Sequence, residues 1–453
     1  MTTIYPPGPR GNWLFGNMID LYRDSMQHMR NMTIYGDITT SRYGPFRAYL
    51  LNNPEAIQEF LITYRDNHTK SPHDAKLLGR FLGRGLLTNE GENHKRQRKL
   101  VQPAFHMKRI QSYADVMVGY TSAMLDSWRT ASGIDVDHEM MKLTLNIVTK
   151  TLFNANISET EAEDVSRALD ELQADMTKLS TLIVSVPEWL PLPINRRIKA
   201  NTAVIDRIVW RVINERREAG TDEGDLLSML LLSKGEDGAP GMTDQQVRDE
   251  VITLFLAGHE TTANALTWTH YLLSQHPQAL RRLQDELDSV LGDRTPTIAD
   301  LPRLPWNEMV VKEAMRLYPP AWSLGPRIVH TPITIGGYTI DKNTAVMISP
   351  YTMHHNPRFW PDPERFDPER FSPENEKARH KYAYIPFGAG PRVCIGNTFA
   401  LMEAQLIMAT IAQRLNWSLD PTQKIGLDPQ LTLGPKYGMR LRFSRRPVLV
   451  AAV

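Results

Sequence analysis

Sulfur is nearly absent as a cross-linking resource: the 453-residue chain has one cysteine, Cys394. That excludes an internal disulfide, a four-cysteine iron–sulfur cluster and a structural zinc knuckle, each of which needs several thiols. Net charge is also missing, with 52 Lys+Arg against 51 Asp+Glu and a formal +1. Nothing in that balance commits the chain to nucleic acid or an anionic membrane, so a charged partner must meet a local patch. There is no run of about 18 apolar residues to span a bilayer. The opening MTTIYPPGPRGNW has no charged segment followed by an apolar one of the kind that marks a secretory signal. A soluble, cytoplasmic monomer is expected. Internal repeats and low-complexity tracts are absent too, and although the length allows two or three domains, one large domain over 1–453 is the expectation.

What is present is mostly helical periodicity. A strand pair is expected at Ile38 to Arg42 and Phe46 to Leu51, turned at Gly44-Pro45, after which 54–291 reads as helices separated by polar or proline-rich loops. The strongest helix opens at Thr243, three residues before Gln246 in a capping-box arrangement, and runs to Gln275 before His276-Pro277. A further helix ends at Gly292, and another carries Glu313 and Arg316 up to Pro319-Pro320. The period then changes to short strands over Arg327 to Ser349, with a Gly336-Gly337 hairpin turn. The stretch 356–373 reads as an ordered aromatic meander. A last helix over 395–415 precedes a terminal hairpin near Gly434-Pro435. The fold class is mainly α with small β-sheets, strand-rich near 35–55 and 325–350.

Cys394 sits in Phe387-Gly388-Ala389-Gly390-Pro391-Arg392-Val393-Cys394-Ile395-Gly396, just before a helical pattern. A thiolate at a helix start is favoured by the dipole and by unpaired N–H groups, so the cysteine is expected to be an anion. Gly388, Gly390 and Gly396 leave room for a flat, bulky ligand to approach the backbone, and Arg392 could pair with a carboxylate on it. This run resembles, at every specified position, the Phe-x-x-Gly-x-Arg-x-Cys-x-Gly haem-binding signature of the cytochrome P450 family. The resemblance implies the P450 fold, with a long central helix over a haem b group. It also implies Cys394 as axial iron ligand, Arg392 on a haem propionate and Phe387 packed near the sulfur.

Distant segments carry the same resemblance. Ala257-Gly258-His259-Glu260-Thr261-Thr262 interrupts the apolar face of the long helix with charge and hydroxyls. It is similar to the family's oxygen-activation motif, which implies that Glu260 and Thr261 hold water and deliver protons while Ala257 looks onto the haem. The bland reading of the same residues is a glycine for close helix packing and a threonine bonded back to a carbonyl. A zinc-protease reading fails because His259-Glu260 is followed by Ala263 where the second ligand would stand. His354-His355 is read as structural. Glu313 and Arg316, alone, would be an ordinary i,i+3 pair; the resemblance makes them, with Arg370, a triad that locks the meander under the cysteine loop. Arg365 competes for the third place. Arg98, His94 and Arg327 match propionate-binding positions, although family members often have tryptophan where this chain has His94.

The implied activity is monooxygenation: one atom of O2 enters a lipophilic substrate such as a fatty acid, terpenoid or steroid. A haem-thiolate peroxygenase or isomerase and a non-enzymatic haem sensor are the alternatives. No flavin or nicotinamide signature appears, so electrons are expected from a separate ferredoxin or flavodoxin and its reductase. The cluster Lys95, Arg96, Arg98, Lys99, Lys108 and Arg109 offers a docking face for such an acidic partner. By resemblance the pocket draws on the loop from His73 to Leu87, the helix near Met176 to Ile183, Ala257, Trp322 to Leu324 and Leu431 to Leu433. Phe81, Leu82, Trp322, Leu324 and Leu433 are its bulky candidates. The apolar segment 180–193 is a candidate for peripheral membrane contact.

Overall fold

The longest helix begins where its cap is written. The Thr243 hydroxyl accepts from the Gln246 N–H while the Gln246 side chain accepts from the Thr243 N–H, a reciprocal cap that contributes about 1 kcal/mol. The computed structural model describes residues 5–128, 133–180, 186–233 and 241–446. Its longer helices are α1 (Pro72–Leu82), α2 (Gly91–Val101), α3 (Met107–Ser127), α4 (Val136–Phe153), α5 (Glu159–Ser180), α6 (Pro193–Ala219), α7 (Asp244–Gln275), α8 (Pro277–Leu291), α9 (Pro305–Leu317) and α10 (Asn397–Arg414). At about 1.5 Å per residue, α7 spans roughly 48 Å, and most of it is buried. No helix among the described residues is long and apolar enough to cross a membrane.

The strands are β1 (Ile38–Tyr43), β2 (Phe46–Leu51), β3 (His68–Lys70), β4 (Gly133–Asp135), β5 (Arg327–Val329), β6 (Ile333–Ile335), β7 (Tyr338–Ile340), β8 (Ala345–Ile348), β9 (Leu415–Leu419), β10 (Leu427–Pro429), β11 (Leu433–Pro435) and β12 (Arg440–Arg445). The main sheet has the order β1-β2-β8-β5-β3. Its β1–β2 hairpin pairs Ile38 with Leu51 and Tyr43 with Phe46. The Gly336-Gly337 turn joins β6 to β7 with both residues at positive φ, 56° and 82°, the geometry a two-residue hairpin requires. Two expectations shift. The terminal hairpin pairs Pro429 with Leu433, so its turn is 430–432 and Gly434 lies within a strand. Short β3 and β4 escape the pattern reading because three residues carry no periodicity.

Beneath the cysteine loop, the 356–373 meander is ordered by its aromatics. Trp360 is buried, and Arg379 lies 4.0 Å above its ring and 4.8 Å from that of Phe371, a cation–π arrangement that fixes irregular backbone without a ladder of hydrogen bonds.

Candidate active site

From Val247 to His270 every residue of α7 is buried except Ala257, Gly258 and Thr261. Ala257 and Thr261 are four apart, hence about 40° apart around the helix axis. An exposed patch halfway along an otherwise buried helix means that this face looks onto open space inside the protein. The bland reading of the motif is present in the same residues. A Cβ on Gly258 would come within 2.8 Å of the Val148 side chain on α4, so only glycine allows the two helices this close. The Thr261 hydroxyl donates to the Ala257 carbonyl at 2.6 Å, which satisfies it inside the helix and leaves its lone pairs toward the space.

Glu260 turns the other way. Its carboxylate accepts from Gln173 Nε2 at 2.6 Å and from the Thr432 hydroxyl. Thr432 in turn accepts from Asn264 Nδ2 at 2.9 Å. Burial pushes the Glu260 carboxyl up to about 7, so it holds or releases a proton near neutrality. His259 is buried with neither ring nitrogen partnered by another side chain, and burial lowers it to about 4. The zinc reading finds no support in geometry either: no group of three metal-ligating side chains occurs among the described residues.

The cysteine loop is a tight backbone fold. The Cys394 N–H donates to the Phe387 carbonyl at 2.9 Å, and Val393 N–H to Gly390 O at 3.0 Å. Gly390 has φ 70°, and a Cβ there would come within 2.7 Å of the Leu61 carbonyl oxygen, so no other residue fits. Phe387 packs half-buried on the main core. The Cys394 side chain is exposed by area. The helix itself starts slightly later than expected. The helix proper begins at Asn397, and burial pushes the Cys394 thiol up, with the Gly396 N–H and Arg98 opposing. A bound cation is what would tip this thiol to thiolate.

Cations converge beside that loop with too few anions to match them. Arg327 is buried with its Nε unpartnered, and in the β3–β5 register it stands directly opposite Lys70. Like charges opposite each other across a ladder are destabilising. Burial and the neighbouring Arg327 and Arg392 lower Lys70 to about 7, while Arg327 falls to about 10. Arg392 donates to Asn89 O at 2.9 Å and pairs with Glu90. His94, buried among these cations, falls to about 3 and is neutral, so it can donate one ring N–H but brings no charge. Arg98 donates to the Val393 carbonyl at 2.9 Å, and part of its donor set is therefore spent on the cysteine loop. Glu90 is the carboxylate that faces Lys70, Arg327 and Arg392. A flat ligand bearing carboxylates fits this cradle, since it would answer the orphaned Nε and the Lys70–Arg327 repulsion together. Lys70 is the residue that sequence reading missed; its signal, the register opposite Arg327, exists only in three dimensions.

Arg316 and Glu313 are fully buried. Arg316 Nε and Nη2 donate to Glu313 at 2.7 and 2.8 Å, and its remaining donors reach the carbonyls of His354, Pro363 and Arg365 at 3.0, 2.7 and 3.1 Å. That uses the whole guanidinium fork. Glu313 also accepts from the Asp367 N–H at 2.8 Å. Arg370 Nε lies 3.5 Å from Glu313, whereas Arg365 points to solvent near Asp367 at 3.8 Å. The third position is thus occupied by Arg370. His354 is buried, its Nε2 accepting from the Ile385 N–H at 2.9 Å, a structural part.

The pocket expectations fare unevenly. Ala257 and Leu324 keep exposed surface, and Leu324 lies against Gly388. Phe81 and Leu82 are sealed in the main core, and Trp322 and Leu433 in a separate cluster with Met26, Met29 and Met347. The Trp322 indole is pinned to the Gln430 carbonyl at 2.9 Å. These four side chains are spent on core packing, which the sequence cannot distinguish from pocket lining. Ile183 and residues 181–185 of the apolar segment lie outside the described residues. Of the basic cluster, Lys95, Arg96, Lys99 and Lys108 are exposed, while Arg98 and Arg109 are half-buried.

The family model "Cytochrome P450" matches residues 6–439. The chain is 37% identical over 408 residues to a cyclooctat-9-en-7-ol 5-monooxygenase of Streptomyces melanosporofaciens, covering 90% of this chain and 88% of that protein. It is 32% identical to a pentalenene oxygenase of Streptomyces avermitilis, covering 95% of each. The crystal structure of the cytochrome P450DA haem domain superposes with a TM-score of 0.88 at 27% identity, covering 99% of both chains.

Proposed function

The chain belongs to the cytochrome P450 family, and from that premise we propose that it oxygenates a cyclic terpenoid, with Cys394 as the iron ligand. It is a haem-thiolate monooxygenase that acts on lipophilic molecules, using O2 and a redox partner. The observation that carries the residue assignments is the pairing of an exposed Ala257–Thr261 face in a buried helix with an anion-poor cradle of Lys70, Arg327, Arg392 and Arg98 beside Cys394.

When bound, haem b supplies a redox-active iron that activates dioxygen for insertion. Everything else falls to the chain. Cys394 would hold the iron, and Lys70, Arg327, Arg392 and neutral His94 would hold the propionates, with Arg98 dividing its donors between a propionate and the Val393 carbonyl. Gly388, Gly396 and Phe387 shape the floor. Thr261 would keep a water in place on the open face of α7 and Glu260 would pass protons to that water, a transfer suited to a carboxyl that titrates near 7. For that transfer Glu260 must leave Gln173 and Thr432, so the two hydrogen bonds set the resting side of a swing. Glu313, Arg316 and Arg370 keep the meander, and through it the cysteine loop, in register. Ala257 and Leu324 face the substrate.

The terpenoid class is supported by relatives whose names specify cyclooctat-9-en-7-ol and pentalenene. Electrons come from a ferredoxin or flavodoxin docked on the exposed Lys95, Arg96, Lys99 and Lys108, a basic surface joined to the cysteine loop by the Arg98 to Val393 hydrogen bond. A family match running from 6 to 439 supports one catalytic domain over the whole chain, and its action as a cytoplasmic monomer is part of the same proposal. The test is a spectral-shift screen of the holoenzyme with cyclic terpenoids, pentalenene and cyclooctat-9-en-7-ol among them, followed by turnover under isotope-labelled dioxygen. One labelled oxygen atom in the product is expected. Shifts from fatty acids and steroids alone would overturn the substrate class, and unlabelled product would overturn monooxygenation.

A further inference from the structure

Glu260 stands next to Thr261, yet its carboxylate is held on the side of α7 that faces α5 and the Thr432 turn. On that side Gln173 Oε1 and Asn264 Oδ1 are buried without a partner, while the Asp137 carboxyl and the Thr267 hydroxyl meet each other. Orphaned buried polar atoms are rare and mark places for ordered water. Asp137, in the first turn of α4, lies beside the Thr267 hydroxyl and within the fields of Asp135, Asp170 and Glu260. Asp170 precedes Gln173 by one turn of α5, reaches solvent, and has the exposed His138 beside it. The carboxyls therefore run from the surface inward: Asp135, Glu171 and Asp428 beside them are acidic, and the basic neighbour His138 stands at the exposed Asp170 end, where it favours the Asp170 anion.

We propose that Asp170 and Asp137, bridged by ordered water among these orphaned atoms, are the proton supply that reloads Glu260 from solvent. This rests on the reading of Glu260 and Thr261 as the proton-handling pair. One proton enters at Asp170; each carboxyl releases its own proton inward and takes another from outside, and no electrons move. Burial and mutual repulsion suit the groups to the task, raising Asp170 to about 6, Asp137 to about 8 and Glu260 to about 7. A carboxyl that neither binds its proton permanently nor stays ionised can relay it.

Asparagine matches a protonated aspartic acid in shape and charge, so Asp137→Asn and Asp170→Asn keep the fold while removing the transferable proton. In the holoenzyme, Glu260→Gln identifies the infrared band of the protonated Glu260 carboxyl by its loss. The rate at which that band shifts after transfer into D2O then reads the supply directly, with no turnover needed. Both Asn variants should slow this exchange by about tenfold or more, a conservative share of what a positioned proton donor contributes, and should enlarge the solvent isotope effect on turnover of the screened terpenoid. Asp137→Glu should restore both. Exchange at the wild-type rate in both Asn variants, or no band lost in Glu260→Gln, would overturn the supply. Should Asp137→Asn fold poorly, Asp170→Asn, at the exposed end, gives the same reading. The underlying pair fails separately: it is sunk by Glu260→Gln and Thr261→Ala that both leave product per electron unchanged.

Discussion

Glu313→Gln probes how much of the site depends on a contact that touches neither substrate nor cofactor. The wild-type carboxylate neutralises Arg316, faces Arg370 at 3.5 Å and accepts the Asp367 N–H. Glutamine keeps the volume and an oxygen for Asp367, so the loss is one charge. Arg316 is then left as an uncompensated cation at 0% exposure, and breaking a buried pair on one side costs about 3–5 kcal/mol. In a chain longer than 250 residues about 2 °C of Tm accompanies each kcal/mol, so thermal unfolding of the holoenzyme, followed by helical circular dichroism, should fall by roughly 6–10 °C. The reduced carbon monoxide spectrum of the same samples reports the cysteine loop and should lose amplitude before the helices melt. Arg365→Gln is the control: an exposed pair 3.8 Å from Asp367 is worth about 1 kcal/mol at most. A Glu313→Gln protein within about 2 °C of wild type, or an Arg365→Gln protein less stable than Arg370→Gln, would refute the triad as drawn.

The Lys70 cradle predicts a reversal of sign. Lys70→Met relieves repulsion with Arg327 in haem-free protein and should leave it as stable or more so, yet remove a charge-assisted bond worth about 1.5–3 kcal/mol from the holoenzyme. Transfer of haem to an excess of apomyoglobin should accelerate roughly 10- to 100-fold; an unchanged rate would exclude Lys70 from the cradle. His270 is fully buried, with Nδ1 on the Leu266 carbonyl, and its folded-state value lies near 4 against an ordinary 6.5. Unfolded chain takes up a proton that the folded chain refuses, so this contribution is whole above pH 6.5 and is lost as pH falls toward about 4. Its size is on the order of 3 kcal/mol, and His270→Gln should flatten the denaturation-versus-pH curve in that window; an equal slope in both proteins would contradict it. Thr261→Ala should lower product formed per electron consumed while leaving terpenoid affinity and the carbon monoxide spectrum intact, and unchanged coupling would remove Thr261 from proton handling.

Which features could be read from residues alone follows from how local their causes are. The Thr243 cap, the Gly336-Gly337 turn and the Gly292 stop are decided within four residues, and all three stand where the pattern places them. The cysteine loop is equally local: ten residues carry its turns. Roles set by packing were not legible. Phe81, Leu82, Trp322 and Leu433 have the apolarity of a pocket but are consumed by the core, because hydrophobicity reports burial without saying against what. Lys70 needed the β3–β5 register, and the direction of the Glu260 carboxylate needed Gln173 and Thr432, which lie 87 and 172 residues away. The last helix begins at Asn397 rather than at 395, so Cys394 stands in the loop before it. Arg370 prevailed over Arg365 for a reason no motif states: of two successive Pro-Glu-Arg-Phe runs, the meander turns one arginine inward and the other out.

Cys394 is the residue on which the whole account depends, and its role has a direct optical readout. The reduced holoenzyme under carbon monoxide should give the strongly red-shifted Soret band of thiolate ligation, and Cys394→His should move that band to the position typical of histidine-ligated haem. A histidine-type band from intact, active wild-type protein, or a thiolate-type band that survives Cys394→His, would contradict it.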